Sequence, residues 1–272
     1  MSKLSDLRSR LQSLHDIAAI LDAMKNLSLA EITKISRFYT LQQELFHTIE
    51  LALEDFQHFY GPQVSVETSR QSSLYILIGS ERGFCGGFND EIRRQLETEV
   101  TRQQPAELIL VGRKLSLMFA DDPRVRTFLN GPNTTEEIPR VISALAGTLT
   151  QFPGREWKII HNVYKNEGMK VETSSPFTTL RRQRPANFEF APLLNLPASE
   201  LRPQLFEQYL FALFYGIFYL SFIAENHERL RHMESALNKL DEETQRLRRV
   251  SNSLRQEVIT EELEVIMTSV DL

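Results

Sequence analysis

Leucine opens this chain in a strict rhythm. Leu4, Leu7, Leu11, Leu14, Ala18 and Leu21 step by three and four residues, the spacing that buries one stripe of a helix against a partner. Met24 and Leu27 then fall one position ahead of the beat, which lands on Lys25 and Ser28, and Ile32, Ile35, Phe38, Leu45 and Ile49 follow. A displaced stripe predicts a coil that unwinds locally at this point. The rhythm returns near the other end in Leu230, Met233, Leu237, Leu240, Leu247, Leu254 and Val258, with polar Thr244 and Ser251 on the intervening beats.

Between these arms the pattern changes period. Leu74–Gly79 and Glu107–Val111 are short apolar runs ended by glycine, which predict buried strands. Val125–Leu129 reads as a weaker strand. Asn89–Glu99 is helical, and a helix begins near Thr134 or Thr135 and runs to about Thr150. Glu137 lies at capping-box distance from Thr134 and one residue short of it from Thr135, so the cap stays open. Glu156–Tyr164 and Lys170–Leu180 flank Asn166-Glu167-Gly168, a hairpin signal. Alternating strands and helices followed by a hairpin predict a small sheet with parallel strands and helical cover.

Breakers set the boundaries. All 11 prolines fall between Pro62 and Pro203, and ten of the 11 glycines between Gly61 and Gly168, Gly216 being the exception. Proline costs roughly 3 kcal/mol inside a helix and glycine about 1, so both ends are free to be long helices. The expected organisation is an N-terminal coiled-coil helix over 1–60, a central α/β domain over 61–203 and a C-terminal coiled-coil helix over 204–272. Residues 181–203 are an irregular connector. At about 1.5 Å per residue the arms reach roughly 80 and 100 Å. One antiparallel hairpin satisfies both stripes within the chain. Tyr209–Ala224 carries no charge but is short of the roughly 20 residues a membrane span needs. It is expected to be a helix buried nearly all round, against the central domain and the first arm.

With 42% apolar and 25% charged residues, the chain is neither a disordered tail nor a membrane protein by composition. Its net charge is -5, which removes any general pull toward nucleic acid or anionic lipid. Cys85 is the single cysteine, so no internal disulfide is possible and a reducing compartment is the default. The first residues lack the apolar block of a secretory signal.

Candidate chemistry is sparse. Gly79–Asn89, GSERGFCGGFN, follows a strand as a phosphate loop would, yet it holds neither G-x-G-x-x-G nor Gly-Lys-Ser/Thr. A tight turn that lets backbone segments approach explains it better. His227 and His232 are five residues apart, not the four of a zinc helix. With His15, His47, His58 and His161 they read as surface or seam histidines. Cys85 reads as a packed small thiol, Glu261-Glu262 as a solvated face, and Arg181–Arg184 as a solvated loop. No enzyme active site, cofactor site or metal site is recognised.

Three segments resemble one family in order. Ser80–Asn89, SERGFCGGFN, resembles the S-[DE]-R-G-L-C-G-G-[LF]-N signature of the gamma subunit of rotary F-type ATP synthases, through Arg82, Gly83, Cys85, Gly86, Gly87 and Asn89. Arg255–Ile266, RQEVITEELEVI, resembles that family's R-Q-x-x-I-T-x-E-L-x-E-I. Arg10–Met24 resembles its amino-terminal motif in Arg10, Ser13, Ile20, Ala23 and Met24. Ala224-Glu225, Arg229, Met233 and Ala236 fall on a further family pattern.

The resemblance implies an α/β fold with a long antiparallel coiled coil of N- and C-terminal helices and a central Rossmann-like domain without cofactor. It implies a non-catalytic central-stalk subunit at the cytoplasmic face of a cell membrane. Its partners would be the alpha and catalytic beta subunits of the head, the epsilon subunit and the membrane rotor ring, with no nucleic acid and no nucleotide bound. Met24, Arg229, Arg255, Gln256, Thr260 and Glu262 match positions tied to coupling contacts. The chain departs from the family at Asp22, Glu31 and Thr33, where basic residues are usual, and so resembles a divergent bacterial or archaeal member. A coiled-coil scaffold carrying an α/β sensor domain is the alternative, and a small α/β enzyme using the glycine turn a third.

Overall fold

The computed structural model describes residues 2–61, 73–100, 106–166, 168–176 and 190–270. Its elements run α1 (Ser2–Tyr60), β1 (Ser73–Ile78), α2 (Phe88–Glu99), β2 (Ala106–Val111), α3 (Arg113–Met118), β3 (Val125–Leu129), a 3-10 turn (Thr135–Glu137), α4 (Ile138–Leu149), β4 (Trp157–Lys165), β5 (Gly168–Ser174) and α5 (Ala198–Val270). The chain divides into two compact units, Met1–Ser28 with Arg229–Leu272, and Leu29–Glu228. The expected solvated loop Arg181–Arg184 lies outside the described residues.

The first unit is a helix pair. Leu4, Leu7, Leu11, Leu14 and Ala18 are half-buried and Leu21 is buried, while the residues between them are exposed. Leu11, Leu14 and Ala18 line one groove with Leu237, Leu240 and Thr244, and Arg10 reaches Glu243 at 3.9 Å. Further along the same helices, in the second unit, Gln42 meets Ala212 and Tyr60 meets Arg202: partner numbers fall as α1 rises, so the helices are antiparallel. On α5, Leu230, Leu237, Leu240, Thr244, Ser251 and Leu254 are half-buried and Met233 and Leu247 buried.

The stripe on α1 does not shift. Ser28 is 2% exposed whereas Leu27 is 49% exposed. The same beat continues through Lys25, Ile32, Ile35, Tyr39, Gln42, Phe46, Ile49, Leu53 and Phe56, all buried or half-buried. Phe38 and Leu45, expected on the stripe, are exposed. No local unwinding is needed, because the polar seam residues find partners on their own helix. The Ser28 hydroxyl donates to the Met24 carbonyl at 3.1 Å, and the Lys25 ammonium lies 3.4 Å from Asp22.

The second unit is a three-layer α/β arrangement around a five-stranded sheet of order β3-β2-β1-β4-β5. β1 pairs in parallel with both β2 and β4, β2 with β3 likewise, and β5 closes the edge antiparallel to β4. All six side chains of β1 are buried, as a central parallel strand requires. One face of the sheet packs Leu74, Ile76, Ile78, Ile109 and Ile159 against Ile35 of α1, Ile142 and Leu145 of α4, and Phe214, Phe218 and Phe222 of α5. The other packs Tyr75, Leu77, Leu110 and Ile160 against Phe88, Ile92 and Leu96 of α2 and Leu115 of α3.

α5 includes a stretch long and apolar enough to cross a membrane by composition. Here no residue from Tyr209 to Ala224 is exposed, and its phenylalanines form the core of the sheet's first face. Gln42 donates to the Ala212 carbonyl at 3.1 Å, and the Phe46 and Tyr209 rings lie 5.7 Å apart. α5 begins at Ala198, ahead of Pro203, because the Pro197 carbonyl accepts the Glu200 and Leu201 amides and starts the first turn. The six-residue helix α3 has no counterpart in the sequence pattern, being too short to show a period. The expected capping box before α4 does not form: neither Thr134 nor Glu137 caps by its side chain. Strand β5 stops at Ser174, and residues 177–180, where it was expected to continue, lie outside the described residues.

Candidate functional site

The segment after β1 is built as a closed turn. Asn89 closes it, accepting the Ser80 amide at 3.0 Å and donating to the Ser80 hydroxyl at 2.9 Å. Gly79 allows the close packing, since a Cβ there would lie 2.4 Å from the Cβ of Leu115. Glu81, 9% exposed, accepts two backbone amides on one oxygen, Arg113 at 2.9 Å and Gly131 at 2.8 Å. It thereby ties the turn to the start of α3 and to the segment after β3. Arg82 donates to Asn133 at 3.0 Å. Gly86 takes a φ of 54° and Phe84 one of 64°. Phe84 is 62% exposed, an outlier for a bulky residue.

The turn sits at the topological switch point between β1 and β4, where open α/β sheets take ligands. Two buried side chains adjoin the turn. Phe88 and Asn162 are fully buried, and the Asn162 amide donates to the Phe88 carbonyl at 2.9 Å. Cys85 is the packed thiol expected, 5% exposed. Its Sγ lies 3.3 Å from the Gly83 carbonyl and 3.8 Å from the Glu225 carboxylate on α5.

Segment 130–137 links this turn to helix α1. Glu137 accepts the Asn133 amide at 2.7 Å and its side-chain amide at 3.1 Å. The Asn133 backbone N–H holds the Glu137 carboxyl below its ordinary pKa against burial, with the Asn133 side chain, Arg82 and Arg140 assisting. The Thr135 hydroxyl and amide both donate to Glu31 on α1, at 2.6 and 3.2 Å. Lys34, one turn on, pairs with Glu136. Glu31, noted only as a departure in the sequence, is therefore the true cap of the 3-10 turn.

The remaining family-matched positions lie on the helix pair. Met24 is half-buried on α1 and Arg229 is 6% exposed on α5. The antiparallel register that sets Arg10 beside Glu243 puts Met24 level with Arg229. Arg255, Gln256 and Thr260 are exposed, with the Thr260 hydroxyl donating to the Gln256 carbonyl at 2.9 Å. The side chain of Glu262 lies outside the described residues. Val258, Ile259, Leu263 and Met267 accompany this segment at 36%, 45%, 55% and 69% exposure.

His161 departs from the surface or seam histidine expected. It is 1% exposed, and burial lowers its pKa to about 4, with Glu172 opposing and Lys165 assisting. It occupies a β4 position paired with Ile78. Ile159 to Val163 of β4 are all buried, because a strand inside a sheet covered on both faces hides every side chain; the adjoining apolar Ile159 and Ile160 are the signal in the sequence. Glu31 and Thr135 carry no such signal, because their pairing spans 104 residues.

A family model described as ATP synthase matches residues 3–271. The chain is 23% identical to an ATP synthase gamma chain of Exiguobacterium sibiricum and 26% identical to one of Mycoplasma mobile, covering 98% of itself and of each relative. Its fold is that of a chain in the Euglena gracilis mitochondrial ATP synthase, OSCP/F1/c-ring, in rotational state 3, with a TM-score of 0.69 at 17% identity over 99% of this chain and 94% of that one. A rotor chain of the same complex in rotational state 1 gives 0.67, at 15% identity over 95% of this chain and 99% of that one. Full-length matches of sequence and fold, together with the closed turn of Ser80–Asn89, place this chain in the ATP synthase gamma-chain family.

Proposed function

We propose that this chain is the central-stalk subunit of a membrane-bound F-type ATP synthase, a non-catalytic shaft that couples ion flow through a membrane ring to ATP synthesis or hydrolysis. The observation that carries the reading is the pair of unbroken helices α1 and α5. They share one apolar seam in antiparallel register, and α5 ends in a segment whose described side chains are exposed from Arg255 onward. A shaft needs stiffness, which long packed helices supply; α1 holds no proline or glycine, and in α5 the breakers are Pro203, in its second turn, and Gly216. It also needs unlike faces, since only differential contacts bias a stator subunit between conformations. The exposed apolar residues Ile259, Leu263 and Met267 beside Arg255 and Gln256 supply a surface of that kind.

In this reading the stator contacts fall on Arg255, Gln256, Thr260 and Glu262, and Met24 and Arg229 tune the contact between the two arms. The partners are the alpha and catalytic beta subunits of the head, the epsilon subunit and the membrane rotor ring, on the cytoplasmic face. The test is a chromosomal deletion with affinity purification of the tagged chain. Copurification with three copies of a catalytic subunit, and loss of membrane ATP synthesis on deletion, are the expected results. A chain that associates only with itself, with synthesis intact after deletion, overturns the reading and favours the coiled-coil scaffold.

A further inference from the structure

We propose that segment 130–137 is a load-carrying strap between the glycine turn and helix α1, and that Glu31 is the residue that locks it. Four connections meet in these eight residues. Glu81 holds the Gly131 amide, and Arg82 holds the Asn133 side chain. Glu137 folds the strap on itself through Asn133. Glu31 accepts both the hydroxyl and the amide of Thr135. The turn end of the strap is thus fixed by two side chains of the signature segment, and the other end by one carboxylate of the long helix.

The placement of Glu31 makes it a lock rather than an incidental contact. Thr135 is 5% exposed, and its amide is at the start of the 3-10 turn, where no intrahelical acceptor exists. No local side chain caps this start, so the acceptor comes from α1. A carboxylate there also faces the positive end of the helix that follows. The apolar contact beneath joins Ile35 of α1 and Ile138 of α4 in the same core. That contact resists separation but not sliding, since apolar packing is non-directional. Two charge-assisted hydrogen bonds to one carboxylate do resist sliding. Lys34 with Glu136 adds a second, more exposed tie one turn along.

The geometry of the strap stands independently of the shaft reading, but its mechanical consequence rests on it. The experiment compares Glu31→Ala, Glu31→Gln and Thr135→Val with the parent, in the full chain and in the purified complex. Amide exchange is read at Thr135 and Asn133, and ions pumped per ATP hydrolysed are read against an opposing gradient. The expected result for Glu31→Ala is exchange at least tenfold faster at Thr135 and severalfold faster at Asn133. Pumping per ATP falls at least twofold under load, and unloaded hydrolysis stays within twofold of the parent. Glu31→Gln keeps an acceptor oxygen and recovers at least half of the loss, and Thr135→Val gives an intermediate loss. Parent-like exchange in Glu31→Ala overturns the lock. Faster exchange with unchanged pumping under load overturns its load-carrying role. A parent chain that joins no catalytic ring sinks the shaft reading instead, and the exchange result then decides the lock by itself.

Discussion

The imidazole of His227 lies flat on the ring of Tyr164, with centroids 3.8 Å apart and planes 3° from parallel. The stack fastens α5 to strand β4, one residue before the β4–β5 turn. Burial lowers the His227 pKa, against the opposing pull of Glu228. Aromatic pairs contribute about 0.5–1.5 kcal/mol beyond area burial, so His227→Ala is expected to destabilise the chain by about 1–2 kcal/mol. His227→Phe should keep most of that stability. Urea unfolding of the three proteins measures both.

Acid should weaken the α/β unit through His161. Its folded pKa of about 4 lies below the ordinary 6.5. Below pH 6.5 the unfolded chain therefore binds a proton that the folded chain refuses, and stability falls as the pH drops from 6.5 to 4. The loss reaches roughly 3 kcal/mol and then levels off, once both states are protonated. His161→Gln removes this component. The expected outcome is a difference between parent and variant stability that changes with pH across this window and is flat above it. A difference independent of pH would refute it.

Glu81 is a second place where one side chain organises several segments. Removing its carboxylate leaves the Arg113 and Gly131 amides without their acceptor. Unsatisfied buried donors cost about 1–3 kcal/mol each. Glu81→Ala is expected to lower stability by about 2–4 kcal/mol, and Glu81→Gln by less, as read by thermal unfolding.

The unbroken seam on α1 can be tested with two adjacent positions. Leu27→Glu should change the melting of the helix pair by under about 0.5 kcal/mol, because the site is exposed and surface substitutions are mild. Ser28→Glu forces a charge into a site 2% exposed and should cost at least about 2 kcal/mol. Thermal denaturation followed by circular dichroism distinguishes them. The reverse ranking would restore the displaced stripe.

Arg255 and Gln256 are exposed on the helix end, so their replacement by alanine should leave folding and assembly intact. ATP-driven ion pumping by the assembled complex is expected to fall severalfold. Pumping at the parent level with normal assembly would remove both from the contact surface.

Much of the architecture could be read from residue periodicity. The arms, the strands β1 to β4 and the buried helix through Phe214 and Phe218 announce themselves by spacing, because each buries one face or all faces against the same core. The seam between Met24 and Ser28 misled for a physical reason. Hydrophobic Leu27 is exposed, and Ser28 is hidden by satisfying its hydroxyl within its own turn. α3 is shorter than two helical turns, so no period develops. The strap is invisible locally because its partners Glu81, Arg82 and Glu31 are distant in sequence and each looks like an ordinary surface charge. The glycine-turn motif pointed to the right place, but its closure by Asn89 and its clamp by Glu81 emerge only once β1, α3 and the segment after β3 are side by side.

Phe84 holds a left-handed backbone angle with its ring in water. That conformation costs an L-residue about 1–2 kcal/mol relative to glycine, and solvent returns nothing for the exposed ring. The tip of the turn thereby stores backbone strain, which the hydrogen bonds of Ser80, Glu81 and Asn89 at its base offset.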